Sequence, residues 1–208
     1  MTEHIIIRPS VQKRFDSFMQ HGRVLFFSAP CGFGKTTLAD ALLHGQTVLR
    51  LNTGATDCAI PSSAQGWDVL LIDNLQLMQE EPDQQSLCEL IRSNPERRFV
   101  LLSRGTPPGC LMAFQYTGLM TVLTAEDLLF DHDDIQALFA ACEVAVTDSE
   151  IDIILTKSIG YPLGVVITVL CMAGGKPFWE RTALGWQTAH SPRANLKKGK
   201  TFPPGCSP

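Results

Sequence analysis

The chain has 208 residues, with 17 Lys and Arg against 21 Asp and Glu, a net charge of −4, and 45% hydrophobic residues. That length and apolar fraction suffice for one domain, or one domain with a satellite, around a real core. The mildly acidic balance argues against a general nucleic-acid or membrane-surface partner.

The seven cysteines, at 31, 58, 88, 110, 142, 171 and 206, are scattered and include no C-x-x-C. They form neither a disulfide framework nor a zinc site, and fit a reducing cytoplasm. The five histidines (His4, His21, His44, His132, His190) share no metal-ligand spacing. MTEHIIIRPS combines an acid with a short apolar run and no cleavage pattern, so it does not read as a signal peptide. The apolar stretch Leu163 to Ala173 is too short to span a bilayer and reads as a buried helix.

In chain order, Val11, Phe15 and Phe18 recur at helical spacing within residues 9–21. The apolar run Val24 to Phe27 then feeds a loop with Pro30, Cys31, Gly32, Phe33 and Gly34, and Lys35, Thr36 and Thr37 open a second helix. Strand, glycine loop, Lys-Thr and helix, in that order, form the phosphate-binding P-loop arrangement. Glycines let successive backbone N–H groups turn inward around an anion, and the helix N-terminus adds partial positive charge. Lys35 then reaches the β- and γ-phosphates of ATP, or the β-phosphate of ADP, and the Thr36 hydroxyl ligates Mg2+. The first position of the pattern, usually Gly, is Ala29, which is acceptable if the backbone there keeps φ below zero.

The helix continues to His44 and stops at Gly45, and Thr47 to Leu51 reads as a second strand. The link from Asn52 to Gly66 is barely long enough for a parallel crossover, so a minimal or partly disordered connection is expected. Trp67 to Asn74 (WDVLLIDN) is a continuous apolar run ending in an acid. A buried parallel strand of this kind delivers a carboxylate to the sheet's carboxyl edge. Downstream of a P-loop it is the expected Walker B element, with Asp73 holding Mg2+ directly or through water.

Residues 82–94 suit a helix with Pro82 at its start, and Arg98 to Ser103 another buried strand. Arg104, at that strand's end, is either a sensor of the γ-phosphate or a solvated arginine. Gly105 to Gly109 reads as a firm loop and Met120 to Leu123 as a fifth strand. From Gly105 to Thr156 there is no Lys or Arg, while nine acids fall inside. Such a surface repels phosphate backbones and lacks the basic lid of a phosphoryl-transfer kinase. Asp131 can cap a helix holding Ile135, Leu138 and Phe139, and Thr147 with Glu150 forms a capping box for another that ends near Gly160. Pro162 begins the last apolar helix. From residue 176 periodicity is lost, and prolines, glycines and the basic cluster Arg193, Lys197, Lys198 and Lys200 read as a disordered tail.

Taken together, Arg8-Pro9, SAPCGFGKTTL, VLLIDN, VLLSRGTPP, LTAEDLLF and IGYPLGV resemble the large ATP-binding LuxR-type transcriptional regulators of the maltose-regulon-activator type, within the STAND class of signal-transduction NTPases. The resemblance covers roughly residues 5–173. It implies an α/β fold of the P-loop NTPase kind (ASCE/STAND type). The expected sheet has five parallel strands, with the arginine-bearing strand between the P-loop and Walker B strands, followed by a small helical segment. The corresponding division is 1–124 for the nucleotide-binding part, 125–175 for the helical part and 176–208 for the tail. It further implies that Arg8, Pro9 and Pro162 lie near the adenine and that Arg104 is the sensor. Such regulators hold ADP at rest, exchange it for ATP on receiving an inducer, and self-associate to activate transcription.

Three departures bear on function. The second Walker B acid is replaced by Asn74, and an amide cannot accept a proton from an attacking water as a carboxylate can. The link between Thr53 and Gly66 is short, so a helix and part of the sheet edge are expected to be missing. No DNA-binding module fits after residue 176, so DNA binding is not expected from this chain alone, and the change of composition reads as a truncated or frame-shifted copy. The leading reading is an ATP/ADP-binding switch module with slow or no hydrolysis. An active P-loop ATPase or small-molecule kinase, and a fragment that binds nothing, are the alternatives.

Overall fold

The computed structural model describes residues 5–54 and 66–174. Most of the short connection after Asn52, and the whole tail from 176, lie outside the described residues. Pro9–His21 forms α1, Val24–Ser28 β1, Lys35–Leu42 α2, Val48–Asn52 β2, and Val69–Asp73 β3. Glu81–Ser93 forms α3, Arg98–Ser103 β4, Met112–Tyr116 α4, and Met120–Thr124 β5. Four further helices follow: α5 (Ala125–Leu128), α6 (His132–Ala141), α7 (Asp148–Ser158) and α8 (Pro162–Ala173).

All strand pairings are parallel, in the order β2-β3-β4-β1-β5. The arginine-bearing strand β4 thus lies between β1 and β3, as expected. The edge strand β2 is present, with Val48 opposite Val69.

Central strands of a parallel sheet are covered on both faces, which is why β1, β3 and β4 are unbroken apolar runs. Alternate residues divide between two cores. Leu25, Phe27, Leu71, Val100 and Leu102 pack with Val11, Phe15 and Phe18 of α1 and Ala39 and Leu42 of α2. Val24, Phe26, Leu70, Ile72, Phe99 and Leu101 pack with Leu87, Leu90 and Ile91 of α3 and Phe114 of α4. Each fully buried Leu, Ile or Phe contributes roughly 1.5–3 kcal/mol of transfer free energy, so the sheet is a rigid platform.

A third core, built from Ile135, Leu138, Phe139, Ile151, Ile154, Val165 and Val169, joins α6, α7 and α8. Their starts are set locally. The Asp131/Asp134 and Thr147/Glu150 pairs form reciprocal capping boxes, and Pro162 opens α8.

Two local differences from expectation have simple causes. The stretch after Pro108 coils into a 3-10 turn, Gly109–Leu111, and then α4, because Leu111 and Phe114 have a core to enter. Helix α2 ends at Leu42 rather than His44, with Leu43 already outside helical geometry. Among the described residues no helix is long and apolar enough to cross a membrane.

Candidate functional site

The loop from Ala29 to Gly34 joins β1 to α2 at the carboxyl edge of the sheet. Ala29 is buried, and its N–H donates to the Ser103 carbonyl at 3.3 Å, continuing the strand before the turn. The backbone turns at Gly32 (φ 81°) and Gly34 (φ 72°), both in the left-handed region that glycine enters without a Cβ clash. Gly34 is the N-cap of α2; no side chain caps that helix and no acid lies in its first turn. The amides of Lys35, Thr36 and Thr37 therefore open on the loop carrying the helix's partial positive charge.

The Lys35 ammonium folds back over this loop, donating to the carbonyls of Ala29 (2.6 Å) and Pro30 (2.8 Å). Burial pushes its pKa below the ordinary lysine value; Asp73 and Cys31 oppose the shift, and the positive charge of Arg104 adds to it.

Opposite the loop, Asp73 ends β3. The Thr36 hydroxyl donates to Asp73 Oδ2 at 2.9 Å, and the N–H of Asn74 donates to Oδ1 at 2.7 Å. Asn74 sits in the left-handed region (φ 58°), which Asn tolerates better than most side chains. Arg104 is exposed just past β4, and its backbone N–H donates to Gln76 Oε1 at 3.0 Å.

Beside the loop lies a mainly apolar cavity of about 400 Å³, with Ile6, Arg8, Phe33, Thr37, Leu128 and Pro162 in its wall. Its outer side is closed onto the loop from α8. The Tyr161 hydroxyl donates to the Cys31 carbonyl at 3.0 Å, the Leu163 N–H donates to the Gly32 carbonyl at 3.2 Å, and the Phe33 and Tyr161 rings lie 5.2 Å apart.

Arg8 ties the N-terminal segment to the start of α6. Its guanidinium donates to the Leu129 carbonyl (2.9 Å) and to Asp131 Oδ2 (2.7 Å), and forms an ion pair with Asp134 Oδ2 at 3.0 Å. The Asp134 N–H is the main influence holding Asp131 below the ordinary carboxylate range, helped by Arg8 against desolvation. Burial pushes Asp134 upward, against the Asp131 N–H and the Arg8 charge.

The sequence matches no protein-family model and no curated protein. Similar solved structures exist. RuvB of Thermotoga maritima is 18% identical, with 79% of this chain and 61% of that one covered and a TM-score of 0.55. A Walker-type ATPase of Pyrococcus abyssi is 14% identical over 92% of this chain and 78% of its own, with a TM-score of 0.60. A signal-transduction ATPase with numerous domains (STAND), bearing a tetratricopeptide-repeat sensor, from Pyrococcus horikoshii is 11% identical over 81% of this chain and 30% of its own, with a TM-score of 0.54. The chain has the P-loop NTPase fold. It spans 61% of the RuvB chain and 30% of the STAND protein.

In this P-loop fold, Pro30 through Thr37 line one continuous loop and helix start, with Asp73 hydrogen-bonded to Thr36 and Arg104 near enough to bias Lys35. Arg8 and Pro162 reach the cavity wall, whereas Pro9 is exposed at the first turn of α1 and does not line it. The Arg8 guanidinium is committed to two acids and a carbonyl rather than turned to the cavity centre.

Sequence reasoning passed over Tyr161, Gln76 and Asn52. Tyr161 adjoins Pro162 in the Gly-Tyr-Pro stretch, but its contact lies 130 residues away in the chain. Gln76 and Asn52 carry no local signal at all.

Proposed function

We propose that the chain is an ATP/ADP-binding switch module of the LuxR-type STAND regulators, with slow or no hydrolysis. The nucleotide-binding part of this reading is carried by the 2.9 Å hydrogen bond from Thr36 to Asp73 across the mouth of the loop holding Lys35, and the LuxR-type part rests on the resemblance of the sequence motifs. A hydroxyl and a carboxylate so close together are hard oxygen donors of the kind that Mg2+ takes alongside phosphate oxygens and water. Among the described residues no group of three His, Cys, Asp or Glu could hold a metal by itself. The donor set therefore fits an ion completed by a nucleotide.

In this reading the amides of residues 32–37 hold the phosphate chain, and Lys35 exchanges its two carbonyl partners for β- and γ-phosphate oxygens. Thr36 and Asp73 hold Mg2+, which when bound neutralises phosphate charge. The apolar cavity takes the nucleoside, with Arg8 and Pro162 in its wall, and Pro9 fixes the start of α1 beside it. Arg104 pairs with the γ-phosphate. Asn74 cannot act as a base, so a bound triphosphate persists and serves as a signal rather than a substrate. Residues 1–124 form the nucleotide-binding unit and 125–175 a helical unit that closes on it, in a cytoplasmic regulator that self-associates in its triphosphate state.

The test is a titration with ATP and ADP, with and without Mg2+. Saturable, Mg2+-enhanced binding is expected, weakened roughly tenfold or more by Lys35→Ala through loss of charged hydrogen bonds, and made Mg2+-independent by Asp73→Ala. A folded, monodisperse sample that binds neither nucleotide overturns the reading. Rapid Lys35-dependent hydrolysis overturns its switch component.

A further inference from the structure

Three strand ends on one side of the crevice are joined by amides rather than charges. Asn52 ends β2, Asn74 follows β3, and Gln76 sits in the 3-10 turn Leu75–Leu77. The Arg104 N–H donates to Gln76 Oε1 (3.0 Å), Gln76 Nε2 to Asn74 Oδ1 (3.2 Å), and Asn74 Nδ2 to Asn52 Oδ1 (3.1 Å). Asn52 Oδ1 also accepts the Gly54 N–H at 2.9 Å. A primary amide accepts at one end and donates at the other. Both termini of this series are backbone N–H groups, which only donate, so the orientation of all three side chains is forced.

The series takes over where the sheet stops. The β3–β4 ladder ends at Ile72 opposite Leu101, whereas on the other side β4 stays paired with β1 as far as Ser103. Beyond Leu101, the hydrogen bond from the Arg104 N–H to Gln76 Oε1 ties the chain to the β3 side of the crevice. Among the described residues the Arg104 guanidinium has no hydrogen-bond or ion-pair partner, so its aim depends on its backbone. Asn74 is itself held firmly: the Thr53 N–H donates to the Asp73 carbonyl (3.1 Å), and the Thr53 hydroxyl, with its one proton, donates to the Asn74 carbonyl (2.5 Å). A carboxylate at 74 would face Asn52 Oδ1, which the Gly54 N–H keeps pointing inward. The amide at this position therefore matches its neighbours and serves orientation.

We infer that Gln76 is a positioning residue that acts through Arg104 to set the preference for a nucleoside triphosphate over a diphosphate. This rests on the nucleotide-switch reading above. The γ-phosphate is the group that distinguishes the two ligands, and a guanidinium placed by a fixed backbone discriminates better than one on a free strand end.

The experiment is calorimetric titration of the full chain with Mg-ATP and Mg-ADP, in wild type, Gln76→Leu, Arg104→Ala and the double variant, with thermal unfolding of each as a folding control. Gln76→Leu is expected to lower ATP affinity about fivefold, the worth of one hydrogen bond, with ADP affinity unchanged. On the Arg104→Ala background the same substitution should leave the ATP-to-ADP ratio unaltered, since a residue acting through another is non-additive with it. Gln76→Met, closer in length, should reproduce the loss if Gln76→Leu fails to fold. An unchanged ratio in the single variant, an equal loss for both nucleotides, or a full loss without Arg104 overturns the inference while leaving the nucleotide reading intact. Failure of the wild type to bind either nucleotide overturns that reading, and the inference with it.

Discussion

The Tyr161 hydroxyl reaches the carbonyl of Cys31, 3.0 Å away, and in doing so occupies the space a side chain at Gly32 would need. A Cβ built there would lie 1.8 Å from the phenolic oxygen and 2.7 Å from the carbon bearing it. At Gly34 the backbone is also left-handed, but the space is open. Helix α8 is thus docked on the very turn of the loop proposed to hold phosphate, and any movement of α8 is felt there.

The two glycines should accordingly respond differently. Gly34→Ala should cost about 1–2 kcal/mol, the backbone term alone. Gly32→Ala should cost clearly more, and adding Tyr161→Ala should recover the excess. Urea unfolding of the wild type and these three variants measures this; equal costs for the two single substitutions would contradict the close packing.

Arg8 should matter for stability before it matters for ligand. Replacing it with Ala leaves Asp134, whose side chain is only 10% exposed, without its cation. A loss of about 2 kcal/mol is expected, below the range for fully buried pairs because Arg8 and Asp131 are partly solvated. Asp134→Asn should restore part of it in the Arg8→Ala background, since a neutral amide needs no counter-charge. Chemical denaturation of the pair and the double variant provides the check.

Acid sensitivity should trace to Asp127. Burial alone would raise its carboxyl, but the Thr124 N–H and the Arg14 guanidinium, 2.6 Å away, outweigh it and bring its pKa below the ordinary 3.8. A carboxyl with a depressed folded value stabilises fully above its unfolded value, and that contribution disappears as pH falls through the folded one. Asp134, shifted upward, contributes in the opposite sense: its buried charge opposes folding at neutral pH, and protonation relieves this. Unfolding midpoints followed into acid should therefore fall less steeply in Asp127→Asn than in wild type. An unchanged slope would remove Asp127 from the account.

Thiol labelling should rank the cysteines by place. Cys31 is exposed on the loop, while Cys88 is buried and pushed up to about 12, first by burial and then by its neighbour Cys110. Alkylation followed by mass spectrometry should modify Cys31 early and Cys88 last. Mg-ATP should protect Cys31 selectively; labelling of Cys31 at the same rate with and without nucleotide would count against phosphate lying on the loop.

Local pattern was enough to find the strand, the glycine loop, Lys35 and Thr36, and the apolar strand that ends in Asp73. Each is written in residues adjacent in the chain: period, turn chemistry and capping act within a few positions. The cap at Asp131 and the capping box at Thr147 were legible for the same reason, although the reciprocal partner Asp134 was not singled out. The nine acids between Gly105 and Thr156 read as a repelling surface, yet in the fold Asp127, Asp131 and Asp134 are turned to caps and to Arg14 and Arg8. Tertiary packing alone decided the pairing of these acids with Arg14 and Arg8, as it decided the seating of Tyr161 on Gly32 and the amide series from Asn52 to Arg104. Such contacts join residues up to 130 positions apart. No periodicity encodes them, because they exist only once the sheet has ordered its strands and brought the ends of β2, β3 and β4 to one edge.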